Sequence, residues 1–391
     1  MNEDLNPILA IQALRAGLYG FGAVVIGEVL ALRGYSPVQV GLVLTSLVAG
    51  MGLSSLLVGV IGPRLSGRAL YVGLLLVMGL SGLVFAISAW LPALVIAGLT
   101  GTVSTDPNES GPITTVEQAM IGRTDAQSRL RLFGRYNAVA YLAGSVGALA
   151  AAGASLLQRS GSLGSSPQSL LLAFPIVALA CAGIASRIRG WGGDLSAGTA
   201  RPATKPSSKI VQLSSLFALD AFGGGFVTQA FVAYWLHFKF DAGTETVGIV
   251  FFVSGLLQAA SSVLAARLAA HVGVLNTMVF THIPSNLLLA AIAFAPSLGA
   301  AIALLLCRFA LSQMDVPARQ AFVAGMVEPQ DRLGAAAYTN LARYVARPAG
   351  PTLAGALMRS AVGAPFLAAG LIKVTYDILI YGAFRREVLL K

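Results

Sequence analysis

Charge is what this sequence has least of. Asp, Glu, Lys and Arg make up 11% of its 391 residues, against roughly a quarter in a soluble globular domain. Hydrophobic residues reach 56%, so a water-soluble fold is excluded and an integral membrane protein is predicted. Cysteine is nearly absent: Cys181 and Cys307 sit in separate apolar runs, which excludes a disulfide framework. The three histidines, His237, His271 and His282, have no ligand spacing, so neither a metal nor any other cofactor is expected. No nucleophile–base set appears, and Gly223-Gly224-Gly225 lies inside an apolar run without the strand context of a phosphate loop. An enzyme is therefore not expected. The start, Met-Asn-Glu-Asp-Leu-Asn-Pro, has no basic n-region, which argues against a cleaved signal peptide.

What is present is a succession of apolar runs. Twelve spanning segments are expected near 8–32, 38–61, 69–90, 92–121, 131–157, 168–187, 210–236, 246–266, 275–295, 297–325, 334–357 and 364–384. The net charge of +10 reflects topology and not nucleic-acid binding. One alternate set of loops and termini holds fifteen arginines and lysines. The other holds four, Arg33, Arg159, Lys239 and Arg359. This bias places both termini in the cytoplasm of a plasma (inner) membrane protein. Residues 188–209, rich in Gly, Ser, Ala, Pro and basic residues, read as a flexible linker between an N-terminal bundle, 1–187, and a C-terminal bundle, 210–391.

The two halves repeat in parallel. Val40-Gly41-Leu42-Val43 returns as Val247-Gly248-Ile249-Val250, and Glu117-Gln118-Ala119 as Arg319-Gln320-Ala321. Asn137 and Gly147 match Asn340 and Gly350, and Leu14-Arg15-Ala16 matches Leu219-Asp220-Ala221. The offsets drift only from 202 to 207. The expected fold is therefore all-α, with twelve transmembrane helices in two pseudo-symmetric six-helix bundles.

With these features the chain resembles the major facilitator superfamily over essentially its whole length. The loop after the second segment reads Gly59-Val60-Ile61-Gly62-Pro63-Arg64-Leu65-Ser66-Gly67-Arg68, similar to that family's Gly-x-Leu-Ala-Asp-Arg-x-Gly-Arg-Arg signature. The family's aspartate is replaced by Pro63 here and by Ala270 in the second copy, which removes the basis for a charge latch. The stretches 217–226 and 311–320 resemble a bacterial branch of transporters of unassigned substrate. The resemblance implies that the first, fourth, seventh and tenth helices line a central cavity.

Against so apolar a background, a few charges stand out. A carboxylate in a bilayer costs roughly 2.5–3.5 kcal/mol even on the lenient insertion scale, so intramembrane charges are read as functional first. Asp106, Glu109 and Glu117, at offsets of three and eleven, form one stripe if 92–121 is a continuous helix. Pro107 and Pro112 beside them are tolerated only against protein or a wet cavity. Arg308, Asp315 and Arg319 repeat the stripe in the tenth segment, with Asp315 and Arg319 spaced to pair locally. Asp106 and Glu117 align with Arg308 and Arg319, and Arg15 with Asp220, so each acid has a basic counterpart in the other half. Arg15, Tyr19, Asp106, Glu109, Asp220, Arg308 and Asp315 are taken as substrate- or proton-binding candidates. Glu117, Arg135, Arg319, Arg343 and Arg347 are taken as gating ion pairs. Lys373 and Asp377, four apart, are expected to pair locally without a transport role.

The sequence thus predicts a secondary transporter of a small organic solute working by alternating access, with proton-coupled export first and uptake of an anionic metabolite second. A non-transporting membrane receptor or intramembrane enzyme is the alternative from another class. Expected partners are a small-molecule substrate, protons and the lipid bilayer, with the protein a monomer.

Overall fold

The computed structural model describes residues 5–61, 65–106, 111–121, 126–160, 166–188, 207–326 and 332–388. Among these it contains helices and no strand. The helices of the first half are α1 (Leu5–Leu32), α2 (Pro37–Ile61), α3 (Gly67–Ile87), α4 (Leu91–Leu99), α5 (Pro112–Ile121), α6 (Ala126–Arg159) and α7 (Ala173–Ser186). The second half holds α8 (Ser208–Gly225), α9 (Gln229–Phe240), α10 (Thr244–Val272), α11 (Val274–Ala291), α12 (Leu298–Ser312), α13 (Asp315–Gly325), α14 (Arg332–Ala346), α15 (Ala349–Met358) and α16 (Ala364–Val388).

These sixteen helices make up the twelve expected segments, because four segments are each built from two helices: α4–α5, α8–α9, α12–α13 and α14–α15. The sixth segment is a short 3-10 turn, Pro167–Leu172, running into α7. Nine helical spans among the described residues are long and apolar enough to cross a bilayer. The three segments outside that set are α4–α5, α12–α13 and α14–α15, and these carry much of the intramembrane charge. Leu80, Ile87, Phe294 and Val345 are each more than 60% exposed, as side chains facing lipid are in a multi-pass membrane protein.

One packing unit comprises Met1–Thr199 with Gln229–Phe252, and the other Ala200–Thr228 with Val253–Lys391. The first unit therefore includes a stretch from beyond the central linker. Small residues make this packing close. A Cβ added at Gly27 would fall 2.8 Å from the Cβ of Ala233, and one at Gly248 would fall 2.4 Å from the Ala148 carbonyl oxygen. Thr244 Oγ1 donates to the Glu28 carboxylate. Most of the expected linker, 189–206, lies outside the described residues.

The repeat is visible in the backbone. In the first unit α1 crosses α6 so closely that a Cβ on Gly20 would fall 2.0 Å from the Gly144 carbonyl oxygen, and one on Gly147 would fall 1.8 Å from that of Gly17. In the second unit α8 meets the α14–α15 junction the same way. A Cβ on Gly225 would fall 2.3 Å from the Arg347 carbonyl oxygen, and one on Gly350 would fall 2.4 Å from the Gly225 carbonyl carbon. Gly20 and Gly144 correspond to Gly225 and Arg347 at offsets of 205 and 203. In lipid, where apolar burial drives no association, such backbone approach is what holds helices together.

The fourth segment corrects one expectation. Residues 92–121 do not form a continuous helix: α4 ends at Leu99, Gly101 takes φ +66°, and helix resumes only at Pro112. Asp106 lies in the non-helical stretch, so it shares no helical stripe with Glu117; Glu109 lies outside the described residues. A proline at 112 has no N–H to continue a ladder and is suited to a first helical position. The carbonyls freed by the break are met by side chains: Tyr19 donates to the Thr102 carbonyl at 2.6 Å, and Ser54 to that of Thr100 at 2.8 Å. The tenth segment breaks likewise at Gln313–Met314, dividing Arg308 from Asp315 and Arg319.

Candidate functional site

Each packing unit holds one buried cluster of charge. In the first, four helices converge on Glu117, which has no exposed surface. Arg15 of α1 donates to Glu117 Oε2 at 2.5 Å, Tyr71 of α3 donates to Oε1 at 2.7 Å, and Tyr136 of α6 donates to Oε2. Arg15 also donates to Gln12 Oε1 and, at 3.0 Å, to the Tyr136 hydroxyl. Its guanidinium carbon lies 5.3 Å from the Tyr19 ring centroid, a distance suited to a cation–π contact. Arg15 is 2% exposed, and its Nε has no hydrogen-bond partner.

A buried ion pair of this kind is tolerated when further hydrogen bonds occupy the remaining lone pairs and protons. The two tyrosines and Gln12 fill that role. A small cavity of about 10 Å³ borders the cluster, lined by Arg15, Tyr19, Met51, Ser104 and Gly111 among others, room for about one water.

In the second unit the centre is Asp220 of α8, which is 3% exposed. It accepts from Arg319 of α13 at 3.3 Å, from Arg343 of α14 at 3.2 Å and from Lys373 of α16. Arg319 also donates to Asp315 at 3.1 Å, the local pair that their spacing predicts. Behind Asp220 lies a second carboxylate, Asp377, with no exposed surface. It contacts His282 Nδ1 at 2.8 Å and accepts from Asn286 Nδ2 at 2.9 Å. His282 Nε2 is 3.9 Å from Asp220 Oδ1.

The sequence-level candidates are thus distributed unevenly. Arg15, Tyr19 and Glu117 gather in the first cluster, and Asp220, Asp315, Arg319 and Arg343 in the second. Arg15, aligned with Asp220 by the repeat, is paired in this structure with Glu117 of its own unit. Arg308 is half-buried, with its guanidinium carbon 5.0 Å from the Phe309 ring centroid and its Nε without a hydrogen-bond partner. Asp106 is half-buried, its backbone N–H donating to Ser104 Oγ at 3.0 Å. Arg135 is exposed and Arg347 half-buried.

Lys373 needs correction: the carboxylate it donates to here is Asp220 and not Asp377, because α8 brings Asp220 within reach. Sequence reasoning also passed over Gln12, Tyr71, Tyr136, His282, Asn286 and Asp377. A signal existed for the last three. His282 and Asn286 are four apart in one apolar segment, as Lys373 and Asp377 are in another, and ionisable residues in such segments face protein and seek partners. Among the described residues no group of His, Cys, Asp and Glu is arranged to hold a metal.

No protein-family model matches the chain. It is 24% identical over 418 residues to an uncharacterised membrane protein of Saccharomyces cerevisiae, covering 97% of this chain and 93% of that protein. Among solved structures, it superposes on the nucleoside transporter NupG with a TM-score of 0.73 at 13% identity, covering 99% of both chains. A D-xylose–proton symporter gives 0.71 at 14% identity, with 96% of this chain and 97% of that one covered. A bacterial homologue of the human lysosomal transporter Spinster, in an inward-facing and occupied conformation, gives 0.68 at 15% identity over 97% and 95%. These likenesses show the fold alone, the all-α arrangement of twelve transmembrane helices in two pseudo-symmetric bundles that these solved transporters share.

Proposed function

We propose that this chain is a proton-coupled secondary transporter that moves a small organic solute by alternating access. The observation that carries the reading is a buried acid–base pair in each half of a major-facilitator fold, Arg15–Glu117 in one and Asp220–Arg319 in the other. Burying these charges is costly, and an apolar pair of similar size often serves stability as well or better. Their retention at the centre of both bundles fits a role in which one partner is periodically released. A proton or a charged substrate group that neutralises Glu117 or Asp220 frees the opposing arginine. Only differential affinity of that kind lets a ligand shift a conformational equilibrium. The transport activities named for the three structural neighbours, nucleoside, D-xylose with protons, and the lysosomal Spinster type, support the class of action.

Export driven by proton entry is the first direction to test. Import of an anionic metabolite is the second, favoured by the cations Arg319, Arg343 and Lys373 around one carboxylate. The halves 1–187 and 210–391 are taken as the rocking bodies, acting within one monomer, with both termini cytoplasmic on the fifteen-to-four loop bias. The test is a thermal-shift screen of purified protein against nucleosides, sugars, organic anions and cationic drugs at two pH values, followed by flux in proteoliposomes under an imposed pH gradient. A ligand that binds only the folded state raises its apparent stability by mass action. Flux of every stabilising compound that ignores the gradient refutes proton coupling, and the absence of any flux refutes the transporter reading.

A further inference from the structure

We propose that His282 is a proton-binding switch beside the two buried carboxylates Asp377 and Asp220, and that Lys373 is the counter-charge the two carboxylates exchange when the ring changes charge. This deepens the transport reading by naming where a coupled proton is held, although its test does not depend on transport.

A neutral imidazole has one N–H and one lone pair, whereas ionised carboxylates only accept. In this structure both ring nitrogens face carboxylate oxygens, Nδ1 at 2.8 Å from Asp377 and Nε2 at 3.9 Å from Asp220. His282, Asp377 and Lys373 are 4%, 0% and 7% exposed, so the set is shielded from bulk solvent. Among the described residues Asp377 has the imidazole and the Asn286 amide as its hydrogen-bond partners. An ionised Asp377 is therefore compensated when the ring carries both protons.

Lys373 supplies the second half. It now donates to Asp220, yet it stands four residues before Asp377 on α16, the spacing at which helical side chains meet. Its stem lies against the glycine run of α8: a Cβ on Gly223 would fall 2.9 Å from Lys373 Cγ, and one on Gly224 would fall 3.9 Å from Nζ. A side chain at Gly223 would press on the lysine stem. The imidazolium releases its Nε2 proton to water as pH rises, leaving a neutral ring that donates through Nδ1–H to Asp377. Asp377 is then an uncompensated anion, so the Lys373 ammonium moves to it from Asp220, which keeps Arg319 and Arg343 as counter-charges. The other charged or titratable groups around this set are Tyr376 of α16, whose ring centroid is 6.0 Å from that of His282, Arg343 on Asp220, and Arg308, near enough to interact electrostatically with Asp315 and Asp220.

The chain has three histidines, so the test is spectroscopic. The wild-type protein, labelled with 15N-histidine and placed in lipid nanodiscs without substrate, gives three imidazole signals, assigned with His237→Gln and His271→Gln. The expected result is a His282 ring with two protonated nitrogens at pH 6 and one at pH 9. A ring in one unchanging state from pH 5 to 9 overturns the switch, because a structural hydrogen bond has no second state. Lys373→Gln removes the replacement cation, and the ring then keeps its pH 6 state at pH 9. Where that variant does not fold, Gly223→Ala presses on the lysine stem and moves the pH of the switch. A switch identical to wild type in the folded variant overturns the exchange. Either failure leaves proteoliposome flux as it was, and lost flux leaves the wild-type spectrum as it was, so the two readings fail separately.

Discussion

Replacing Glu117 by glutamine removes one charge and little else. With its amide oxygen at the Oε2 position the glutamine still accepts from Tyr136, and its NH2 faces the Tyr71 hydroxyl that now donates to Oε1; that hydroxyl turns to accept, so the change chiefly removes the ionic part of the site. Arg15, 2% exposed, is left with Gln12 and Tyr136 as neutral partners. Breaking a buried pair on one side costs about 3–5 kcal/mol, because the surviving charge is uncompensated. At roughly 2–4 °C per kcal/mol, the apparent midpoint of thermal unfolding in one detergent falls by on the order of 6–20 °C. Arg15→Met falls by a similar amount for the opposite reason, a carboxylate without a cation. The double variant buries no charge, so it is more stable than the sum of the singles implies, with a coupling of about 3 kcal/mol, the upper end for residues in contact. The midpoints are read from intrinsic fluorescence, and the cycle is repeated with any stabilising ligand. Single effects that add to within ~0.5 kcal/mol would refute the pairing, and with it the first cluster.

Asp220→Asn leaves Arg343 and Lys373 with a neutral partner while Arg319 retains Asp315; a loss of about 3–5 kcal/mol and of gradient-driven flux is expected, the first by thermal unfolding and the second in proteoliposomes. Tyr19→Phe removes the donor to the Thr102 carbonyl and costs about 1–3 kcal/mol for an unsatisfied buried group, measured in the same unfolding assay. Gly147→Leu places a side chain where the Gly17 carbonyl oxygen sits 1.8 Å from the built Cβ; α1 and α6 must part, and size-exclusion chromatography after extraction is expected to show aggregated or degraded protein in place of a single peak.

Much of the architecture was legible because a bilayer imposes strong constraints on a sequence. Segment length, loop charge and the parallel repeat each report a physical requirement, and all twelve segments follow from them. The break in the fourth segment was half legible: Pro107 and Pro112 announced it, but the hydropathy of 92–121 stayed high enough to read through. What decides the break is Tyr19 and Ser54, which meet the freed carbonyls from two other helices, and no local pattern encodes partners that distant. The charged residues were legible as a set and the pairing was not. Glu117 sits 102 residues from Arg15, and Asp220 sits 153 from Lys373; sequence spacing says nothing of such contacts. Alignment of the halves suggested opposing counterparts, whereas in each packing unit the charges find partners among neighbouring helices.

The sign reversal between the halves has its own logic. Arg15 and Glu117 align with Asp220 and Arg319 at offsets of 205 and 202, and both couples are joined by an ion pair. Reversing one member alone would bury two like charges side by side, which costs several kcal/mol and in practice neutralises one of them. The two positions are therefore tied energetically, and a swap of sign survives only when both change together. The surroundings have not remained equivalent. The acid of the first unit, on α5, is held by an arginine and two tyrosines. The acid of the second, on α8, is held by two arginines and a lysine, with a histidine and a further carboxylate behind it. Tyrosine hydroxyls titrate far above physiological pH, whereas an imidazole changes charge within it. If a proton drives this protein, the imidazole of the second cluster offers it a site that the tyrosines of the first do not.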